Sequence, residues 1–243
     1  MVTTAATLMT NAGIRLQDER HVRWTLLELG RWIDEAVKAI CLANPAAATR
    51  SIILPLVKGA RQKLPLETLD NGDQPLALKK ITRNISDLST PGDGGRIVTV
   101  VSGKILDAQE PNWTNAKVVR FNKTVRHYVY DEKNPLEFLV YPGNDGNGAV
   151  EAVISYCPAS IVAKVQKTAN DTENLQNWEF PIDLPDPWST CIAEYLMYQA
   201  LLKDDTTGSS GRAAFHFSQF QTMLAAKADA DNATSPNVER QQQ

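Results

Sequence analysis

The chain has 243 residues, of which 43% are hydrophobic and 22% charged, a composition typical of a folded globular protein and not of a disordered or fibrous one. With 25 basic and 28 acidic residues the formal net charge is -3, so the sequence lacks the basic excess of a protein that binds nucleic acid tightly. No apolar run approaches the roughly 18 residues that cross a bilayer, and the three widely spaced cysteines predict no disulfide framework and a reducing compartment.

Two helices are predicted at the start of the chain. Apolar residues at helical spacing predict the first over residues 4–16. The second begins at Thr25, because Glu28 follows three residues later and completes a capping box. It ends at Asn44, which precedes a proline. We assign residues 1–48 to the N-terminal helices of a bundle.

From residue 49 onwards the hydrophobic period becomes that of β-strands. Residues 50–66 predict a hairpin that turns at Lys58 and Gly59. Further strands are predicted over residues 76–85, 96–101 and 149–156, and a short helix over residues 103–113. We assign residues 49–160 to an inserted β-rich domain.

A second hairpin is predicted over residues 127–142, HYVYDEKNPLEFLVYP, and both of its faces are apolar. Side chains alternate between the two faces of a strand, so a hairpin at a protein surface needs only one apolar face. We therefore expect one face to pack inside the domain and the other to contact a partner. The residues assigned to this β-domain interface are Tyr128, Tyr130, Phe138 and Tyr141.

The last third of the chain is predicted to be a polar linker over residues 161–184, a helical hairpin over 185–228 that is N-capped by Asp186, and a flexible tail over 229–243. Its helices carry more aromatic surface than one buried face requires, which favours contact with other subunits or partners. The residues assigned to that interface are Trp188, Tyr195, Tyr198, Phe215, Phe217, Phe220 and Met223. The predicted fold class is α+β: an antiparallel bundle of the N- and C-terminal helices with an inserted β-rich hairpin domain.

Sequence motifs for catalysis or cofactor binding are absent. The histidines His21, His127 and His216 have no partner at metal-ligand spacing, and the chain contains neither a phosphate-binding glycine loop nor a nucleophile elbow. We therefore expect no catalytic residue, metal or cofactor. The alternative from a different class is a small hydrolase or nucleotide-binding enzyme, which would need a pocket with convergent polar groups.

The order of several short segments resembles the head-to-tail connector, or adaptor, proteins of tailed bacteriophages. The resemblance covers most of the chain, and no single segment is specific. The segments that carry it are VRWTLLELGRWIDEAVKAICLANP, LVKGARQKLP, ILDAQEPNW, HYVYDEKNPLEFLVYP, LPDPWSTCIAEYLMYQALLKD and AAFHFSQFQTML.

The resemblance implies a non-catalytic virion protein of the neck, made in the host cytoplasm, with no membrane association. It implies a homo-oligomeric ring, a dodecamer, bound to the portal protein on one side and to a downstream tail or neck protein on the other. The last helix and the tail would dock into the portal, and DNA would pass through the ring without specific binding. Another tail, neck or baseplate component is the alternative within structural proteins.

Overall fold

The computed structural model describes residues 2–65, 69, 72–87, 94–169, 171–204 and 209–233. These residues form both helices and sheets, which confirms the α+β class. The chain divides into two compact units: Thr49–Tyr156, called the β unit below, and Met1–Ala48 together with Cys157–Gln243, called the helical unit.

The elements follow one another along the chain in the order helices, strands, helices. They are α1 (Ala5–Leu16), α2 (Leu26–Ala43), β1 (Thr49–Pro55), β2 (Gly59–Lys63), β3 (Gln74–Ile85), β4 (Gly94–Ile97), β5 (Thr99–Val100), α3 (Gly103–Gln109), β6 (His127–Tyr130), β7 (Glu137–Asn144), β8 (Ala149–Cys157), α4 (Ile161–Thr168), a 3-10 helix (Leu175–Trp178), α5 (Trp188–Lys203) and α6 (Ser209–Ala233).

The first two helices begin and end as the sequence predicts. In α1 the side chain of Thr4 accepts a hydrogen bond from the Thr7 N–H. In α2 the capping box between Thr25 and Glu28 is formed, and the helix ends at Ala43, next to Asn44. Local capping chemistry therefore fixes both helix starts.

The helical unit is built around α5, which contacts α1, α2 and α6. A helix that is apolar on all sides belongs in the interior, and α5 buries residues around most of its circumference. They are Trp188, Cys191, Ile192, Leu196, Met197, Ala200 and Leu201. The wide apolar stripe predicted for this helix is thus largely absorbed by the unit's own core.

Two predictions about the C-terminal third are wrong. Residues 161–184 are not a plain polar linker, because they contain α4 and a 3-10 helix whose Trp178 is 0% exposed. A few apolar side chains suffice to anchor an otherwise polar segment. Residues 229–233, assigned to the flexible tail, belong to α6, and the rest of that tail lies outside the described residues.

The N-cap predicted at Asp186 also needs correction. Helix α5 begins at Trp188 with Pro187 at the cap position. The Asp186 carboxylate instead accepts hydrogen bonds from the backbone N–H and the hydroxyl of Thr3, at 3.0 and 2.9 Å. This carboxylate therefore connects the start of the chain to the start of α5, a long-range contact that local sequence patterns do not predict.

The β unit contains two four-stranded sheets among its described residues, with strand orders β1-β8-β3-β4 and β2-β7-β6-β5. Strands β6 and β7 form the antiparallel hairpin predicted over residues 127–142. The main core of the unit lies against the face of this hairpin that carries Tyr128, Phe138 and Val140. It comprises Leu54, Leu56, Leu64, Leu78, Ile81, Val98, Val125, Tyr128, Phe138, Val140, Val150, Ala152 and Ile154.

The hairpin predicted over residues 50–66 does not form, although both of its strands do. Strand β1 pairs with β8 and strand β2 pairs with β7, so the two belong to different sheets. The buried side chain of Gln62 holds the connection by accepting a hydrogen bond from the Val57 N–H and donating to the carbonyls of Val57 and Gly59. An amide side chain that satisfies the turn's backbone lets the chain cross between sheets.

Candidate interface surfaces

The two apolar faces of the β6–β7 hairpin are both covered within the β unit. Tyr128 pairs with Val140 across the hairpin, and both side chains lie in the main core. On the opposite face Leu139 and Tyr141 pack against a second cluster, formed by Ala60, Leu106 and Trp113. Helix α3 and the residues after it therefore cover the face that the sequence assigned to a partner.

This packing corrects part of the predicted β-domain interface. Tyr128 is 6% and Phe138 2% exposed, so neither is accessible to a partner. Tyr130 and Tyr141 are half-buried, and each has a partner for its hydroxyl, the carbonyl of Pro135 at 3.3 Å and the carboxylate of Glu110 at 2.7 Å. The hydrogen bond to Glu110, together with burial, raises the pKa of the Tyr141 phenol.

An aromatic cluster joins α5 to α6 in the helical unit. The ring centroids of Tyr195 and Phe220 are 5.1 Å apart, and those of Tyr198 and Phe217 are 4.7 Å apart. Offset and edge contacts at such separations are favourable between aromatic rings. Trp188 is 2% and Phe220 4% exposed, so these two residues serve the unit's own core and the interface prediction is corrected for them.

The other aromatic residues of this region keep some accessible surface. Tyr195, Tyr198, Phe217 and Met223 are half-buried, and Phe215 is 58% exposed. Phe215 projects from the first part of α6, and Leu202, near the end of α5, is also exposed. These residues remain candidates for a contact with another chain.

Polar contacts fix the orientation of the cluster. Glu194 of α5 lies 3.1 Å from the Arg15 guanidinium and 2.6 Å from Nδ1 of His216, which links α1, α5 and α6. The hydroxyl of Tyr195 donates to Glu35 of α2 at 3.3 Å. The candidate surface thus lies on a frame held by four helices.

The described residues include no group of three or more His, Cys, Asp or Glu side chains that could hold a metal ion. The three cysteines are free thiols. A hydrogen bond with Cys157, together with burial, raises the pKa of Cys41, and burial raises that of Cys191 to about 12. The proximity of Cys41 and Cys157, far apart in sequence, was not predicted.

One charged surface also escaped the sequence-based prediction. The connection between α3 and β6 carries four exposed basic side chains, Lys117, Arg120, Lys123 and Arg126. The net charge of -3 for the whole chain gives no sign of this local basic cluster. The signal that could have revealed it is local: residues 111–130 contain no acidic residue, and the basic residues recur every third position.

A family model described as SU10 adaptor protein matches residues 3–240, nearly the whole chain. No curated protein matches the sequence. Within the described ranges, no helix is both long enough and apolar enough to cross a membrane.

Proposed function

Because the chain belongs to the SU10 adaptor protein family of bacteriophage structural proteins, we propose that it forms a homo-oligomeric ring between portal and tail that leaves a passage for DNA. The family match over residues 3–240 carries this proposal. The N- and C-terminal helices would form the bundle of each subunit, with the β unit as an insert. The ring would be a dodecamer in the neck of the virion.

Apolar side chains that folding leaves exposed support self-association. The helical unit exposes Ile14, Val22, Leu42, Leu202 and Phe215 by 56%, 78%, 85%, 56% and 58% of their surface. A ring requires two different, complementary surfaces on each subunit, and apolar groups at several places can supply them. At about 25 cal/mol per Å² of apolar area, a typical interface of about 1,600 Å² can offset association costs of several kcal/mol.

The portal contact is assigned to α6. Its exposed Phe215 and half-buried Met223 are eight residues apart and lie on one side of the helix, whereas Phe217 lies on another side, against Tyr198 of α5. Helices commonly bind partner grooves through apolar residues at such spacing. The β unit would then face the downstream tail or neck protein. Its exposed residues Val57, Ile97 and Val100 are available for that contact.

The assembly proposal is tested by mixing the purified chain with its portal and measuring the species by light scattering and electron microscopy. We expect the chain alone to be monomeric and to form a ring on the portal, which would act as the template. Rings that form without portal would contradict the template step. A chain that stays monomeric and unbound beside intact portal would overturn the proposed function.

A matched pair of variants tests the helix contact. Phe215→Asp places a charge on the proposed portal surface, whereas Val57→Asp places one at a similarly exposed residue of the β unit, at 58% and 62% exposure. We expect only the first variant to lose portal binding. Equal binding by the two variants would remove Phe215 from the interface.

A further inference from the structure

The connection between α3 and β6, residues 110–126, contains no helix or strand of the described fold. Connections longer than about 12–15 residues without regular structure are uncommon in compact domains and are usually functional or disordered. This connection has a fixed course, because buried groups of the β unit hold it at several points. Its inner side chains include Trp113 and Val125, at 2% and 0% exposure.

The first anchor is the amide of Asn84, which is 4% exposed. Its Oδ1 accepts from the Val125 N–H at 2.9 Å, and its Nδ2 donates to the Val125 carbonyl at 2.8 Å. The same Nδ2 donates to the carbonyl of Arg96 at 2.8 Å. The Asn84 side chain therefore pairs with both backbone groups of Val125, as a residue of a neighbouring strand would.

The second anchor is Asn144, which is 0% exposed. Its Nδ2 donates to the carbonyls of Asn122 and Lys123 at 3.2 and 3.0 Å. The Asn122 N–H in turn donates to the carbonyl of Gly143 at 2.9 Å. Burying amides is costly unless they are hydrogen-bonded, and both of these amides are used to position the connection.

The outward side of the connection presents positive charge. Four side chains are exposed there, and we call them the basic ribbon: Lys117, Arg120, Lys123 and Arg126. Among the described residues none of the four forms an ion pair, whereas Arg61 and Lys63 of the same unit both pair with Glu137. Lys123 Nζ donates a hydrogen bond to the Ser86 carbonyl at 3.2 Å, and Arg126 lies close enough to Tyr141 to oppose the rise in the pKa of its phenol that the hydrogen bond to Glu110 and burial cause.

The residues around the basic ribbon suit phosphate better than protein. Glu110, the acidic residue within the connection, accepts a hydrogen bond from the Tyr141 hydroxyl. Residues 111–130 contain no Asp or Glu, and the Asn122 and Thr124 side chains lie between basic ones. Lys, Arg, Asn and Thr are the side chains that contact phosphate oxygens in protein–DNA complexes. Protein interfaces are instead poor in Lys and centred on buried aromatic anchors. The aromatic side chain that lies between the ribbon residues in sequence, Phe121, is half-buried against Gly143.

We propose that the basic ribbon binds the phosphate backbone of duplex DNA without reading its sequence. This inference deepens the proposed function, on which it rests for the presence of DNA, by assigning a DNA-contacting surface to the β unit. Each subunit supplies up to four phosphate contacts. Binding by one subunit would be weak, and a ring would repeat the contact around the duplex.

The salt dependence of binding gives a quantitative expectation. With about 0.9 counterions released per phosphate contact, four contacts give a slope of log K against log salt of about -3.6. Affinity should then fall on the order of 100-fold between roughly 50 and 200 mM salt. Each basic residue removed should reduce the slope by about 1.

Fluorescence anisotropy of a labelled duplex of mixed sequence, titrated with the full chain at low salt, provides the test. The ribbon variant carries Lys117→Gln, Arg120→Gln, Lys123→Gln and Arg126→Gln. The control carries Arg20→Gln, Arg31→Gln, Lys38→Gln and Lys167→Gln, four exposed basic residues of the helical unit, and therefore has the same net charge. We expect the ribbon variant to lose affinity at least about 10-fold and the control to stay near wild type.

Two further measurements make the outcome decisive. Circular dichroism and thermal melting establish that both variants are folded, and a Lys117→Arg, Lys123→Arg variant should retain binding because its charge is unchanged. Equal loss in ribbon and control variants, no binding by the wild type at low salt, or equally tight binding of polyglutamate would overturn the proposal, the last in favour of an acidic protein surface. The portal-mixing experiment reads ring assembly separately, so failure of DNA binding is distinguishable from failure of the proposed function.

Discussion

Gly30 of α2 lies directly beneath the indole ring of Trp178. A Cβ atom built at Gly30 would collide with the Trp178 ring and lie 3.2 Å from Val162. Trp178 is fully buried, and its Nε1 donates to the Thr172 carbonyl at 3.2 Å. The absent side chain of one glycine therefore creates the space that allows the segment after α4 to pack on α2.

Replacing Gly30 by alanine should destabilise the protein, although alanine is the better helix former. Overpacking a buried site typically costs about 1–3 kcal/mol, which exceeds the gain of about 1 kcal/mol from helix propensity. Urea unfolding followed by circular dichroism measures the difference. Gly211→Ala in α6 is the matched control, because nothing lies within 4 Å of its added Cβ, and it should be neutral or stabilising. A stable Gly30→Ala variant would mean that the Trp178 ring can move.

Sequence patterns predict contacts between residues that are close along the chain, and they miss contacts between residues that are far apart in sequence. The capping box of Thr25 and Glu28 was predictable because both partners lie within one turn. The buried amides of Asn84 and Asn144 were not, since their partners are 41 and 21–22 residues away. The position of the basic ribbon depends on those amides, so the sequence did not predict it either.

The start of α4 is N-capped by Ser160, whose hydroxyl oxygen accepts from the Ala163 N–H, and a second acceptor comes from another helix. Asp34 of α2 accepts hydrogen bonds from the hydroxyl of Ser160 at 2.5 Å and from the Ile161 N–H at 2.8 Å. An acidic side chain at a helix N-terminus also interacts favourably with the helix dipole. The contact fixes α4 on α2.

Removing this carboxylate should weaken the attachment of α4. Losing an N-terminal cap costs about 0.5–2 kcal/mol, so we expect Asp34→Ala to lower the free energy of unfolding by that amount. Asp34→Asn keeps one acceptor oxygen and should lose less. Hydrogen exchange at the first turn of α4 provides a local measurement, and unchanged exchange in Asp34→Ala would contradict the assigned role.

The ion pair between the start of α2 and the end of α5 should make stability depend on pH. The hydrogen bond from Lys203, at 2.5 Å, lowers the pKa of Glu28 below its usual value of 4.5, against the opposing effect of partial burial. A lowered folded-state pKa adds stability that is present above the unfolded value and lost as pH falls through the folded one. The loss should therefore occur below pH 4.5.

Thermal melts between about pH 6 and about pH 3 test this contribution. Glu28→Gln should be less stable than wild type at the higher pH, and the difference should shrink as acid protonates Glu28. A difference that stays constant with pH would show that the capping geometry of Glu28 matters and its charge does not.

At the element scale, the strands were predictable and some of their partners were not. The β6–β7 hairpin was predicted correctly because a short turn forces neighbouring strands together. The strands of residues 50–66 were also found, but alternation of side chains does not encode the partner strand, and β1 and β2 join different sheets. The apolar second face of β7 was assigned to a partner because the sequence did not reveal that α3 and Trp113 cover it.

The molecule as a whole consists of two compact units whose chain connections lie close together. Thr49 and Ser155 are paired across the β1–β8 ladder, so their Cα atoms are about 4.5–5.5 Å apart. The chain therefore enters and leaves the β unit at neighbouring residues. Each unit has a hydrophobic cluster of its own, which is the condition for independent folding.

We expect each unit to fold when separated from the other. Replacing Thr49–Tyr156 by a flexible linker of about three Gly and Ser residues should leave the helical unit folded, because the linker needs to span only neighbouring strands. A separate chain of residues 49–156 should fold as well. Cooperative thermal melts and size-exclusion chromatography measure both outcomes, and a broad, non-cooperative melt of either piece would contradict the expectation.

The adjacency of Thr49 and Ser155 also bears on how such a gene can change. An insert whose two ends lie side by side can be exchanged by recombination at two points in the gene. The backbone of the flanking helices need not change when this happens. Members of this family of phage structural proteins could therefore differ in the insert while the helical framework around it is kept.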